Sequence, residues 1–181
     1  TIISENVPIY SSKLPAREAA KRTERVHTPY HSKLKALLSE KKARYGKAYL
    51  IDCHSMPSEG GRRRRRGPDI VLGDSWGSSC TRELTSLAEE LFLNAGFTVR
   101  RNVPYSGGFS TLHYGKPEEN IEALQIEISR HLYMDQNDIR PVRNMTILTE
   151  QLTELLIEIS GHDLLQKPAP DANDQHIQAA E

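Results

Sequence analysis

The stretch Tyr49–Ser58, YLIDCHSMPS, constrains this chain more than any other. Tyr49, Leu50 and Ile51 form a short apolar run that reads as a buried strand, and the run leads directly into Asp52, His54 and Ser55 before Pro57 stops it. Side chains alternate along a strand, so Asp52 and His54 share one face and Cys53 points to the other. In an α/β arrangement, a histidine at the carboxyl end of a strand sits where such sheets place their ligands. A second stretch, Ala123–Arg130 or ALQIEISR, alternates Leu124, Ile126 and Ile128 with Gln125, Glu127 and Ser129, placing one polar row on one face. A histidine and a carboxylate base on neighbouring strand ends suit metal-assisted hydrolysis.

The remaining elements fall around these two. Pro15 to Tyr45 reads as a charged helical region opened by Pro15, with Pro29 expected to break or kink it. Leu34, Leu37 and Leu38 form its apolar stripe, and Gly46 ends it. Asp69–Leu72 reads as a second buried strand. Gly77, Ser78 and Ser79 supply turn and cap chemistry for a helix with Leu84, Leu87, Ala88, Leu91 and Ala95 on one side, closed by Gly96. Phe97–Val103 reads as a third strand, 104–117 as a glycine-rich loop and Leu124–Ile128 as the fourth strand. A last helix over 142–160 is expected to bury Ile147, Leu148, Leu152, Leu155, Leu156 and Ile159. Strands alternating with helices argue for an α/β sheet with helices on its faces. The expected organisation is a single domain over 1–165 and a disordered tail over 166–181, rich in Pro, Ala, Asp and Gln.

Composition mainly excludes. Lys+Arg and Asp+Glu both number 24, so no global basic field points to nucleic acid. There is no apolar run long enough for a membrane span, so no membrane partner is expected. Two cysteines, Cys53 and Cys80, make no disulfide framework, which suits reduced thiols in the cytoplasm.

Five blocks in order carry a family resemblance: DCHSMPS (Asp52–Ser58), PDIVLGD (Pro68–Asp74), GSSC (Gly77–Cys80), GGFSTLHYGKP (Gly107–Pro117) and ALQIEISRHLYMD (Ala123–Asp135), with PYH (Pro29–His31) ahead of them. Together they resemble the N-formylglutamate amidohydrolase family, itself similar in fold to zinc carboxypeptidases and aspartoacylase. The resemblance implies a three-layer α/β/α mixed sheet. It also implies zinc-dependent hydrolysis of the formyl amide of N-formylglutamate, or of a similar small-molecule N-acyl amino acid, to formate and the amino acid, a late step in histidine degradation. By the same resemblance His54 is a zinc ligand and Glu127 the general base. Asp52 and Ser55 are placed to orient the ligand or its loop, and Thr111 and His113 are candidates for contacting the substrate or the developing oxyanion. Nothing before His54 reproduces the family's P-H-S-G-like segment, which carries its other two ligands. The implied site for one zinc ion is therefore incomplete within this sequence, and the fold N-terminally incomplete. The alternative is a non-catalytic, truncated remnant of the family that binds anions through Arg62–Arg66.

Other features have plainer readings. The Arg62–Arg66 run is flanked by Gly60, Gly61 and Gly67 and lacks interleaved aromatics, which favours a solvated loop over nucleic-acid binding. His27 and His31 stand at a chelating spacing, but Pro29 lies between them. Cys80 opens a helix, a position that can lower a thiol pKa, yet no base is tied to it. Oligomeric state is not legible.

Overall fold

The computed structural model describes residues 8–58, 67–136, 138–142 and 145–162. The Arg62–Arg66 run and the 166–181 tail lie outside the described residues. The chain divides into two compact units, Thr1–Glu40 and Lys41–Glu181, where sequence reasoning draws one domain over 1–165.

In the first unit, α1 (Ala16–Arg22) starts at Pro15, whose carbonyl accepts the N–H groups of Glu18 and Ala19 at 2.9 and 3.1 Å. Glu18 and Arg22 pair at 2.9 Å one turn apart. A π-helical segment, Thr23–His27, runs into α2 (Thr28–Tyr45). Pro29 therefore does not break the helix, contrary to expectation. A proline lacks the N–H for the ladder and crowds the carbonyl four residues back, and the wider π-turn immediately upstream accommodates both. Within the stripe, Leu38 is buried while Leu37 stays exposed.

In the second unit, Gly46 ends α2 with φ +77°, donating to the Lys42 carbonyl at 2.8 Å. The four-stranded sheet has the order β1 (Ala48–Met56), β4 (Ile121–Ser129), β2 (Ile70–Gly73), β3 (Val99–Arg101). β1 and β4 are parallel, as are β2 and β3, while β2 and β4 are antiparallel, so the sheet is mixed. On one face Ile70, Leu72, Leu124 and Ile126 pack with Leu84, Ala88 and Phe92 of α3 (Arg82–Asn94) and Leu155 and Ile159 of α5 (Met145–Gly161). The other face is covered by α4 (Phe109–Tyr114), which contacts β4 and β1. Helix, sheet, helix is the expected α/β layering. A short antiparallel pair, β5 (Met134–Asp135) and β6 (Arg140–Pro141), had no sequence expectation.

Three local expectations change. The stretch 104–117 is not all loop, because α4 forms inside it. The residue flanking α3 is Thr81 rather than Gly77–Ser79. Those three residues instead turn over Asp74, whose carbonyl accepts the N–H groups of Gly77 and Ser79, each at 3.1 Å. The N-terminus of α3 is capped from a distance: the buried Glu122 carboxylate on β4 accepts the Thr81 N–H at 2.8 Å and its hydroxyl at 2.6 Å. Finally, Ile147 is 57% exposed, because the buried stripe of α5 runs Leu148, Leu152, Leu155, Ile159 and residue 147 falls beside it.

Candidate functional site

The β1–β4 register sets the site. Asp52 stands opposite Gln125 and His54 opposite Glu127, so all four side chains project from the face that α4 covers. β4 is flanked by strands on both edges and covered on both faces, which buries Gln125 and Glu127 to 3% and 5% exposure. His54, on the outer strand β1, remains half exposed.

His54 lies between two carboxylates. Its Nε2 is 3.2 Å from Asp52 Oδ2, and its Nδ1 is 3.8 Å from Glu127 Oε1. Burial, with a smaller push from Asp52, raises the Glu127 carboxyl above its ordinary range; His54, the Gln125 hydrogen bond and Arg130 oppose the rise. Glu127 Oε1 accepts from Gln125 Nε2 at 2.8 Å, whereas Glu127 Oε2 is buried and has no hydrogen-bond partner among the described residues. A carboxylate with one oxygen held and one free, beside an imidazole, is equipped to take up a proton.

The floor of the site is built from glycines. Gly73 on β2 stands opposite Gln125; a Cβ there would lie 2.7 Å from the Gly107 nitrogen. The missing side chain lets the 106–108 backbone descend onto the sheet until the Gly108 N–H donates to Gln125 Oε1 at 2.7 Å. Asp74 and Asn102 brace this approach. Asp74 Oδ1 accepts from Asn102 Nδ2 at 2.7 Å and from the Gly77 N–H at 2.9 Å, and Thr85 Oγ1 donates to Asp74 Oδ2 at 3.0 Å. The Ser75 N–H donates to the Ser106 carbonyl at 2.7 Å. Ser75, Trp76 and Gly77 run at φ +52°, +60° and +81°, a conformation that only such bracing sustains in non-glycine residues.

Of the residues singled out from sequence, Asp52, His54 and Glu127 come together. Thr111 is fully buried beneath them, its Oγ1 at 3.5 Å from Gln125 Oε1. Ser55 projects to the opposite face from His54, where Arg130 Nε reaches its hydroxyl at 3.5 Å. His113 is exposed on α4, stacked on Phe109 with ring centroids 4.8 Å apart. On the Ser55 side a cavity of about 370 Å³ runs between Cys53–Ser55, Ile128 and, on α5, Leu148, Thr149 and Leu152; Glu127 does not line it. Cys80 is buried with its Sγ 3.2 Å from Thr85 Oγ1, and burial pushes its thiol up to about 12, the opposite of a nucleophile. Sequence reasoning passed over Gln125, although ALQIEISR places it in the same polar row as Glu127.

His54 is the donor that suits a metal. Asp52 holds Nε2, and a carboxylate on one ring nitrogen is the usual partner of a histidine that ligates through the other. Among the described residues, no group of three or more His, Cys, Asp or Glu side chains is arranged to hold a metal ion. His27 and His31, with ring centroids 4.2 Å apart, belong to no such group either. The donor set fits one corner of a zinc site rather than a whole one.

The model of the N-formylglutamate amidohydrolase family matches residues 1–134. N-formylglutamate deformylase of Pseudomonas aeruginosa is 35% identical over 133 residues, which cover 71% of this chain and 50% of that protein. The Pseudomonas putida deformylase is 32% identical over 142 residues, 74% of this chain and 52% of that protein. The crystal structure of N-formylglutamate amidohydrolase from Ralstonia eutropha JMP134 superposes with a TM-score of 0.78 at 34% identity, covering 85% of this chain and 57% of that one. A protein of Agrobacterium tumefaciens, at 23% identity and a TM-score of 0.56, shares the fold. The chain spans about half the length of the curated relatives it matches.

Proposed function

Because the chain belongs to the N-formylglutamate amidohydrolase family, we propose that it carries the general base and one metal ligand of a zinc-dependent amidohydrolase acting on N-formyl-L-glutamate or a similar N-acyl amino acid. The observation that supports this reading best is Glu127: a buried carboxylate with Oε1 held by Gln125 and Oε2 without a hydrogen-bond partner among the described residues. His54 is the residue of this chain that would hold zinc, with Asp52 orienting its ring. Zinc, when bound, lowers the pKa of its water to about 7 and polarises a carbonyl.

The chain's own residues handle the protons. Glu127 would take a proton from the attacking water as the water oxygen joins the formyl carbon. The same carboxyl would return that proton to the amine nitrogen as the C–N bond breaks, releasing formate and glutamate. Burial favours this shuttle, because a carboxyl raised toward neutrality both accepts and returns a proton readily. A cytoplasmic place in histidine degradation goes with this substrate, and the free thiols Cys53 and Cys80 suit a reducing compartment. No helix of the described residues is long and apolar enough to cross a membrane.

A second reading, a family member that keeps the fold without turnover, is favoured by the incomplete ligand set among the described residues. One experiment separates the two. The purified chain is supplied with zinc and N-formyl-L-glutamate, and formate release and retained zinc are measured for the wild type, Glu127→Gln and His54→Ala. The amidohydrolase reading expects wild-type turnover, turnover lost with zinc kept in Glu127→Gln, and zinc lost in His54→Ala. No formate from the wild type, or equal loss of zinc and turnover in Glu127→Gln, refutes it.

A further inference from the structure

We propose that Gln125 is the positioning residue of the Glu127 base: its carboxamide is locked in one orientation by the Gly108 N–H and thereby fixes the orientation of the Glu127 carboxylate. This rests on the reading of Glu127 as the base.

The argument is one of donors and acceptors. A backbone N–H only donates, so the atom of Gln125 that faces Gly108 at 2.7 Å must be the carboxamide oxygen. The amino group is then turned the other way, 2.8 Å from Glu127 Oε1. The flipped amide would set two donors against each other at Gly108 and two oxygens against each other at Glu127, both inside a buried site where unmet polar groups are costly. Gln125 is 3% exposed, so water does not relieve that conflict.

The same geometry explains why Glu127 is asymmetric. Both groups directed at it, Gln125 Nε2 and the more distant His54 Nδ1, meet Oε1. Oε2 meets none. A carboxylate held at one oxygen is hindered from rotating, so its orientation is set before substrate arrives, which is the kind of preorganisation that speeds a transfer. The lock reaches back to the glycines: Gly108 touches Gln125 only because Gly73 leaves space for the 106–108 backbone.

Two substitutions separate positioning from simple support. Gln125→Glu keeps the size and the acceptor for the Gly108 N–H but replaces the donor that faces Glu127. Gln125→Met removes both. If Gln125 positions Glu127, both variants lose about 100-fold in kcat with little change in KM, and the thermal midpoint falls mainly in Gln125→Met. A Gln125→Glu variant with wild-type kcat overturns the proposal, since only the Gly108 contact would then matter. A readout independent of turnover is the Gln125 side-chain amide signal in 15N–1H NMR. In Glu127→Ala that signal is expected to shift and to exchange faster with solvent, while the Gly108 amide holds. An unmoved Gln125 signal overturns the proposal whatever the chain's activity. A wild type that releases no formate, while that signal does move, removes the amidohydrolase reading and upholds the pairing.

Discussion

His54 and Glu127 face each other across the parallel β1–β4 ladder, with Nδ1 3.8 Å from Oε1. The distance is too long for a hydrogen bond and short enough for the imidazole to pull the carboxyl downward against the larger effect of burial. The pair joins residues that are far apart in sequence, and the register of one strand pair decides that they meet.

The raised Glu127 carboxyl has two pH consequences of opposite sign. In the proposed role of base it must be ionised, so the acid limb of the kcat/KM profile for formate release is expected above the ordinary Glu value of 4.5, with turnover rising as pH increases through the raised value. For stability, the unfolded chain gives up this proton near 4.5 and the folded chain later. Between the two the folded state holds more protons, so stability falls as pH rises. Urea unfolding of the wild type and Glu127→Gln across that window checks this: the variant should lack the decline.

Asp69 shows the reverse linkage. Burial works to raise its carboxyl, but the Thr98 backbone N–H, the Thr98 hydroxyl and His131 outweigh it and hold the group below its ordinary value. The Thr98 contacts are 2.9 and 2.7 Å, and His131 Nε2 lies at 2.9 Å. Its stabilising contribution is therefore full above the ordinary value of 3.8 and is lost as pH falls through the folded value. Asp69→Asn should unfold at lower denaturant than the wild type at neutral pH, with the gap closing in acid. A gap that stays constant with pH counts against the linkage.

Gly73→Ala tests the close approach beneath the site. The new Cβ would lie 2.7 Å from the Gly107 nitrogen and 2.8 Å from the Ser106 carbonyl carbon, both backbone atoms. Overpacking of this kind costs about 1–3 kcal/mol, measurable by chemical denaturation. The displaced 106–108 backbone should also weaken the Gly108–Gln125 bond and reduce turnover. A variant as stable as the wild type shows that the loop moves freely.

Phe92→Ala tests the other face. Phe92 is fully buried, with its ring edge-on to Phe97 at 5.9 Å between centroids, and it lies in the cluster shared by α3, α5 and the sheet. Truncation should cost about 3–5 kcal/mol in equilibrium unfolding and leave the hydrogen bonds around Glu127 intact, because the sheet stands between them. A loss below 1 kcal/mol, on the scale of a surface substitution, would mean that this face is loosely packed.

Local patterns carried the elements. Period-two alternation marked β4 and the polar row that holds Glu127, and the Leu84–Leu87–Ala88–Leu91 spacing marked α3. Both signals work because one side of each element must leave water. Where a neighbour in space decided the outcome, the pattern was silent or misleading. Gly107 and Gly108 read as loop punctuation, yet they precede α4 and press against the sheet. The cap of α3 comes from Glu122, a residue of a distant strand, and the break expected at Pro29 is taken up by a π-turn.

The sequence by itself therefore determined which residues are polar or apolar on each strand, where the main helices lie and, through five ordered blocks, which family the chain resembles. Only the tertiary structure decided that His54 meets Glu127, that Ser55 turns away and His113 stays on the surface, and that Gln125 holds one oxygen of Glu127. The physical reason is the strand order β1–β4–β2. Periodicity is written in neighbours along the chain, whereas register and pairing are settled by which distant surfaces bury each other, and that choice leaves no mark within any single stretch.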